Sequence, residues 1–176
     1  GKGIRILKQD PWEMIITFVI SQQKTIPKIR QLVEALCTSY GAPVSSSLIN
    51  GAMVNHDPIN AAPGGGIHGK GPEAFAAKTN TGQRLFSFPS PKELSRASLD
   101  ELKELKLGYR AKYIYQLCQD AVSGALDLAL LDTMDYGTAL GYLTGFYGIG
   151  KKVANCVCLF GLHHIGAFPV DKIGRA

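Results

Sequence analysis

Long apolar runs are missing from this 176-residue chain. Its uncharged stretches fall short of the ~18 to 20 residues that cross a bilayer as a helix, so a soluble protein without a membrane segment is expected. Cysteine is sparse: Cys37, Cys118, Cys156 and Cys158 sit inside apolar helical patterns with no paired spacing, which excludes a disulfide scaffold. No cationic and apolar leader opens the chain, and a reducing, cytosolic setting is expected. Histidine is equally sparse, and His56, His68, His163 and His164 show no ligand spacing. Cys156 and Cys158, two residues apart, would point about 200° apart on a helix and make poor joint ligands. The thiols therefore read as small buried hydrophobes. Repeats with a period of roughly 20 to 50 residues are also lacking. What is present is 45% hydrophobic residues, enough for a true core in one domain spanning residues 1–176. Nineteen Lys and Arg against fourteen Asp and Glu leave a net charge of +5, which favours a polyanionic partner without naming one.

Local signals predict an all-α bundle of short helices. Asp10-Pro11-Trp12-Glu13 combines an N-cap, a first-turn proline and a returning Glu, and starts a helix running to about Ile20. After the polar break Ser21-Gln22-Gln23-Lys24-Thr25, apolar residues from Ile26 to Tyr40 recur at helical spacing until Gly41. Residues 43–83 have no sustained period and contain Gly64-Gly65-Gly66-Ile67-His68-Gly69-Lys70-Gly71, so a long irregular loop or small hairpin insertion is expected there. Ser90-Pro91-Lys92-Glu93 and Ser98-Leu99-Asp100-Glu101 are capping boxes. Further helices are predicted from Tyr109 to Ser123, from the region of Asp132–Asp135 onward burying Tyr136, Ala139, Leu140 and Leu143, and from Lys151 to about Leu162. Pro169-Val170-Asp171 reads as one more helix start, just before the chain stops, so a longer protein is expected.

The most informative segment is Gly148-Ile149-Gly150-Lys151-Lys152-Val153-Ala154. Its glycines allow a tight turn between two helices, and the second helix presents unpaired N–H groups and a positive dipole end, where a nucleic-acid phosphate can bind without sequence readout. Gly145 to Lys151 also matches the spacing of a nucleotide-binding loop, but Lys152 stands where Ser or Thr should meet magnesium and the preceding residues are helical. A merely structural hairpin and a solvated first turn are the remaining readings. Against the last, cations at a helix N-terminus are electrostatically disfavoured. The same disfavour, a second ammonium and partial desolvation would together make Lys152 available as a neutral nucleophile. Cys156 follows Lys152 by one helical turn, on the same face. Asp171 is placed to return beside Lys152, and a carboxylate next to a neutral amine suits stabilising and then trapping a cationic carbon.

This hairpin, with Pro169-Val170-Asp171, resembles the helix-hairpin-helix and Gly/Pro…Asp signature of base-excision DNA glycosylases. Leu107-Gly108-Tyr109-Arg110-Ala111-Lys112-Tyr113, Gln9-Asp10-Pro11-Trp12-Glu13 and Asn155-Cys156-Val157-Cys158 are similar to the 8-oxoguanine DNA glycosylase branch, and the resemblance covers about residues 3–42 and 84–172. It implies that Lys152 attacks C1′ of an extruded nucleotide and forms a Schiff base that permits β-elimination, and that Asp171 assists. It implies that Cys156 stacks on the extruded base, that Gln23 and Tyr109 enter the duplex, and that Arg110 and Lys28 contact the orphaned partner base. Gly148, Gly150 and Lys151 would grip the DNA backbone. The carbonyls of Thr144, Phe146 and Ile149 would take a monovalent cation, potassium or sodium, with no cofactor required for the chemistry. The expected partner is double-stranded DNA, met by a monomer.

The sequence departs from the family pattern in places. Gln23 replaces the usual Asn, Lys28 replaces an Arg and lacks its planar fork, and Ile173 stands where a His is common. Loose discrimination for cytosine opposite the lesion is expected. The family's accessory sheet domain and C-terminal helices lie outside this sequence, and the isolated chain is expected to bind DNA with poor activity or none. Two alternatives stay open: an endonuclease III-like enzyme for oxidised pyrimidines, and a non-catalytic helix-hairpin-helix DNA-binding module. Site by site, Cys156 also reads as a core thiol, Gln22-Gln23 as a plain interhelical turn, and Tyr109-Arg110 as a helix start with Tyr packed and Arg solvated.

Overall fold

The computed structural model describes residues 5–44 and 84–170. Helix α1 (Pro11–Ser21) starts where Asp10 accepts the Glu13 N–H at 2.9 Å, and it buries Trp12, Met14, Ile15, Ile16, Val19 and Ile20. With so little polar face it becomes the central helix, packed against its neighbours on several sides. Helix α2 (Ile26–Tyr40) is amphipathic and buries Leu32 and Leu36. It ends where a Cβ on Gly41 would lie 2.0 Å from the Ser87 carbonyl oxygen, a close approach that only glycine permits. Val44 donates to Leu85 and Ser87 to Ala42, each at 2.9 Å, around an antiparallel bridge between Pro43 and Phe86. Residues 42–44 and 85–87 thus lie side by side. The expected loop or hairpin insertion lies beyond Val44, outside the described residues.

Both capping boxes form. Ser90 opens α3 (Pro91–Leu94) and Ser98 opens α4 (Leu99–Glu104), each with its Glu returning to the serine N–H. Helix α5 (Arg110–Ser123) stops at Gly124, which takes φ 83°. Helix α6 (Leu128–Thr133), capped by Asp127, was not anticipated: its six residues are too few for a helical period to stand out. Helix α7 (Tyr136–Thr144) follows the Asp135 cap and buries Ala139 and Leu143, while Tyr136 and Leu140 are only half-buried. Helix α8 (Lys151–Phe160) is shorter than predicted, ending at Gly161, where a Cβ would meet the Pro11 Cα at 3.2 Å. Close packing of α8 against the start of α1 ends the helix there, and Gln9 donates to the Phe160 carbonyl at 2.8 Å. Pro169 and Val170 are irregular, and the helix expected from Asp171 lies outside the described residues.

The described residues therefore form an all-α fold of eight helices, none long and apolar enough to cross a membrane. Ile15, Ile16, Ile20, Leu36, Leu102, Leu107, Ile114, Leu117 and Leu143 are fully buried in one continuous core. Each such side chain contributes roughly 1.5 to 3 kcal/mol.

Candidate catalytic lysine and nucleic-acid interface

Helices α7 and α8 meet through the turn at residues 145–150. Ile149 anchors it in the core at 4% exposure and donates to the Phe146 carbonyl at 3.1 Å. Gly148 has φ 90°, and a Cβ there would lie 2.4 Å from the Tyr113 ring, so both the backbone and the packing demand glycine. Gly150 is the N-cap of α8 at φ −87° and ψ 172°, with no side-chain cap and no atom within 4 Å of a Cβ position. Close approach by another molecule is therefore open on that side.

The apolar stripe of α8 begins at Val153 and turns Lys151 and Lys152 outward, in a first turn without any acidic residue. Lys152 is exposed, which corrects the expected partial desolvation. As the second residue of a helix whose buried face starts one position later, it points away from the core. Cys156, one turn on, is 6% exposed. Asn155 fixes this turn, donating to the Lys151 carbonyl at 2.8 Å and accepting from the Tyr136 hydroxyl at 2.7 Å. Asp171 lies outside the described residues.

Two other segments converge on the hairpin. In the turn between α1 and α2, Gln23 is exposed and holds φ 52°, a left-handed conformation unusual for glutamine. Its neighbour Gln22 donates from the side-chain amide to the Gly148 carbonyl at 2.9 Å. Arg110, at the start of α5, is 3% exposed, donates to the carbonyls of Leu107 and Gln22, and lies 4.4 Å from the centre of the Tyr109 ring. Tyr109 itself is 45% exposed. This overturns the bland reading of the pair: the arginine is inside and the tyrosine outside, because two backbone carbonyls and a ring face satisfy most of the guanidinium. Tyr113 packs edge-on against both Tyr109 (5.6 Å) and Tyr147 (4.8 Å), joining α5 to the hairpin.

Gln23, Tyr109, Arg110, Gly148, Gly150 and Lys151 thus belong to one junction. Lys28 sits in the first turn of α2, where its ammonium donates to Gln31 at 2.7 Å. Gln22 and Tyr113 join this junction without being among the residues the sequence singles out. Only the neighbourhood of Gln22 to Gln23, and the one-turn spacing of Tyr113 from Tyr109, pointed to them.

Cys37, Cys118 and Cys158 are free thiols, and among the described residues no cluster of His, Cys, Asp or Glu gathers to hold a metal. Burial pushes the Cys118 thiol up to about 12 and that of Cys158 to about 11. Burial, reinforced by Glu13 and Glu34, raises Cys37 to about 11. These three remain protonated and unreactive at neutral pH.

A family model described as HhH-GPD superfamily base excision DNA repair protein matches residues 16–172, and the chain belongs to that superfamily. It is 31% identical to an N-glycosylase/DNA lyase of Saccharomyces cerevisiae, over 97% of this chain and 39% of that protein. It is 30% identical to the N-glycosylase/DNA lyase OGG1 of Arabidopsis thaliana, over 97% of this chain and 38% of that one. The chain therefore spans well under half the length of these relatives. Among solved structures, the 8-oxoguanine glycosylase/lyase of Clostridium acetobutylicum, bound to double-stranded DNA with cytosine opposite 8-oxoguanine, superposes with a TM-score of 0.74 at 26% identity. That match covers 98% of this chain and 48% of the other.

Proposed function

We propose that the protein is a base-excision DNA glycosylase that removes 8-oxoguanine from duplex DNA and cleaves the resulting site through a Schiff base. The observation that carries this is the Lys151-Lys152 pair on the uncapped N-terminus of α8, with the glycine hairpin before it and Cys156 one turn along. The names and DNA complex of the relatives support the substrate.

In this reading the Lys152 Nζ lone pair attacks C1′ of the extruded nucleotide while the N-glycosidic bond breaks and its electrons leave with the base, which takes up a proton. Loss of the amine proton and ring opening leave an imine. Removal of a C2′ proton then expels the 3′ phosphate by β-elimination. Asp171 steadies the cationic sugar electrostatically, and Cys156 lies against the extruded base. Gln23 and Tyr109 enter the duplex, and Lys28 faces the orphaned base. Arg110, 3% exposed and bonded to the Leu107 and Gln22 carbonyls, supports Tyr109 from beneath, in place of the base contact expected of it. Gly148, Gly150 and Lys151 hold the phosphate backbone through N–H groups and charge.

The carbonyls of Thr144, Phe146 and Ile149 are proposed to hold potassium or sodium. The donor set fits: it is neutral oxygen, and it begins at the C-terminal, negative end of α7. Such an ion would supply positive charge facing a phosphate. The protein is proposed to act as an intracellular monomer, in the nucleus or the bacterial cytoplasm, where duplex DNA is found.

Borohydride trapping of the full protein on duplexes carrying 8-oxoguanine or an oxidised pyrimidine tests the reading. A covalent adduct on the 8-oxoguanine duplex that vanishes in Lys152→Gln is expected. An adduct surviving in that variant would refute the nucleophile, an adduct confined to the pyrimidine duplex would point to an endonuclease III-like enzyme, and tight binding without any adduct would leave a DNA-binding module.

A further inference from the structure

Resting on the function proposed above, we infer that Gln22 is a positioning residue for base extrusion, locking the turn that carries Gln23 to the hairpin that grips the DNA backbone. Gln22 is the C-cap of α1 and uses its polar groups in three directions. Its N–H returns to Val19, its carbonyl accepts from the Arg110 guanidinium, and its side-chain amide donates to the Gly148 carbonyl at 2.9 Å across a separation of 126 residues. Each partner is itself held. Gly148 is pinned at φ 90° against the Tyr113 ring, and Arg110 is 3% exposed and bonded also to Leu107. The next residue, Gln23, is exposed at φ 52°. A non-glycine residue persists in that conformation only where its surroundings over-determine it.

The consequence is mechanical. A side chain entering the base stack must displace a paired base, and the force for that comes from binding energy gained on the backbone at the hairpin. If turn and hairpin moved independently, hairpin binding would not drive the insertion. The Gln22 amide makes them one rigid unit, and Arg110 closes the same unit onto Tyr109, the second inserting side chain.

Gln22→Glu is nearly isosteric but replaces the donating amide with a carboxylate oxygen that faces the Gly148 carbonyl and cannot donate. Gln22→Met keeps the length and removes the donor without adding charge. In the full protein, both variants are expected to slow single-turnover excision of 8-oxoguanine from an intact duplex by on the order of ten- to a hundredfold. The fluorescence rise of 2-aminopurine placed beside the lesion, which reports unstacking, should shrink in parallel. Cleavage of a duplex carrying a preformed abasic site, where no base has to be extruded, should stay within about twofold of wild type by the same reasoning, as should affinity for undamaged duplex.

Equal excision and equal unstacking in wild type and both variants would overturn the inference. So would loss of excision and of abasic-site cleavage by the same factor, since that marks a merely structural role. Failure of the wild type to cleave or trap either substrate would instead sink the proposed function, and the 2-aminopurine signal would still decide whether Gln22 governs extrusion.

Discussion

Gly148 and Gly150 stand two residues apart and are glycine for different reasons. At Gly148 a side chain meets both a left-handed φ of 90° and the Tyr113 ring, 2.4 Å from the Cβ position. Gly148→Ala is therefore expected to destabilise the fold by about 2 to 5 kcal/mol, the sum of roughly 1 to 2 for the conformation and 1 to 3 for the overpacking. At Gly150 the backbone is ordinary and the Cβ position is empty. Gly150→Ala should leave the melting temperature within about 2 °C of wild type while weakening binding to duplex DNA, because the added methyl meets only an incoming phosphate. Thermal denaturation and a DNA titration of the two variants check the contrast, and equal stability losses would refute it. The glycines were legible as a turn from the sequence alone. That one faces a tyrosine ring and the other open space was not, since Tyr113 lies 35 positions before Gly148.

At the scale of the element, the capping boxes give the sharpest test. The Glu93 carboxyl is held below the ordinary value of 4.5 by hydrogen bonds from the Ser90 backbone and then its side chain, and Glu101 is lowered the same way by Ser98. A carboxyl depressed in the folded state stabilises it above the unfolded value of about 4.5, and that contribution fades as the pH falls through the folded value. Ser90→Ala should cost about 1 kcal/mol at pH 7, and the gap from wild type should narrow at pH 3. Glu13 titrates in the opposite sense, raised by burial and then by Asp10, but it does so in both proteins and cancels. Paired thermal melts at the two pH values check this; a gap that widens in acid would contradict it. Caps of this kind are readable because donor and acceptor lie within four residues of each other. Helix α6 carries only its Asp127 cap, without a run long enough to show a period.

For the whole molecule, a net charge of +5 and the exposed lysines of the hairpin would make the proposed DNA binding a matter of counterion release. Log affinity for duplex should fall linearly with log salt, and Lys151→Gln should reduce that slope by about 1. A slope unchanged in the variant would remove Lys151 from the phosphate contacts. By itself the sequence determined where most helices begin, the glycine turn, the paired lysines that follow it and the single-core helical class, because each depends on groups a few residues apart or on periodicity along one helix. Tertiary structure alone decided that Arg110 is buried beneath an exposed Tyr109, that Gln22 bonds to Gly148, that three tyrosines connect α5 to the hairpin, and that Lys152 stands exposed. Those outcomes depend on which helix ends come to lie side by side, and such neighbours, separated by up to 126 positions, leave no pattern in the order of the residues.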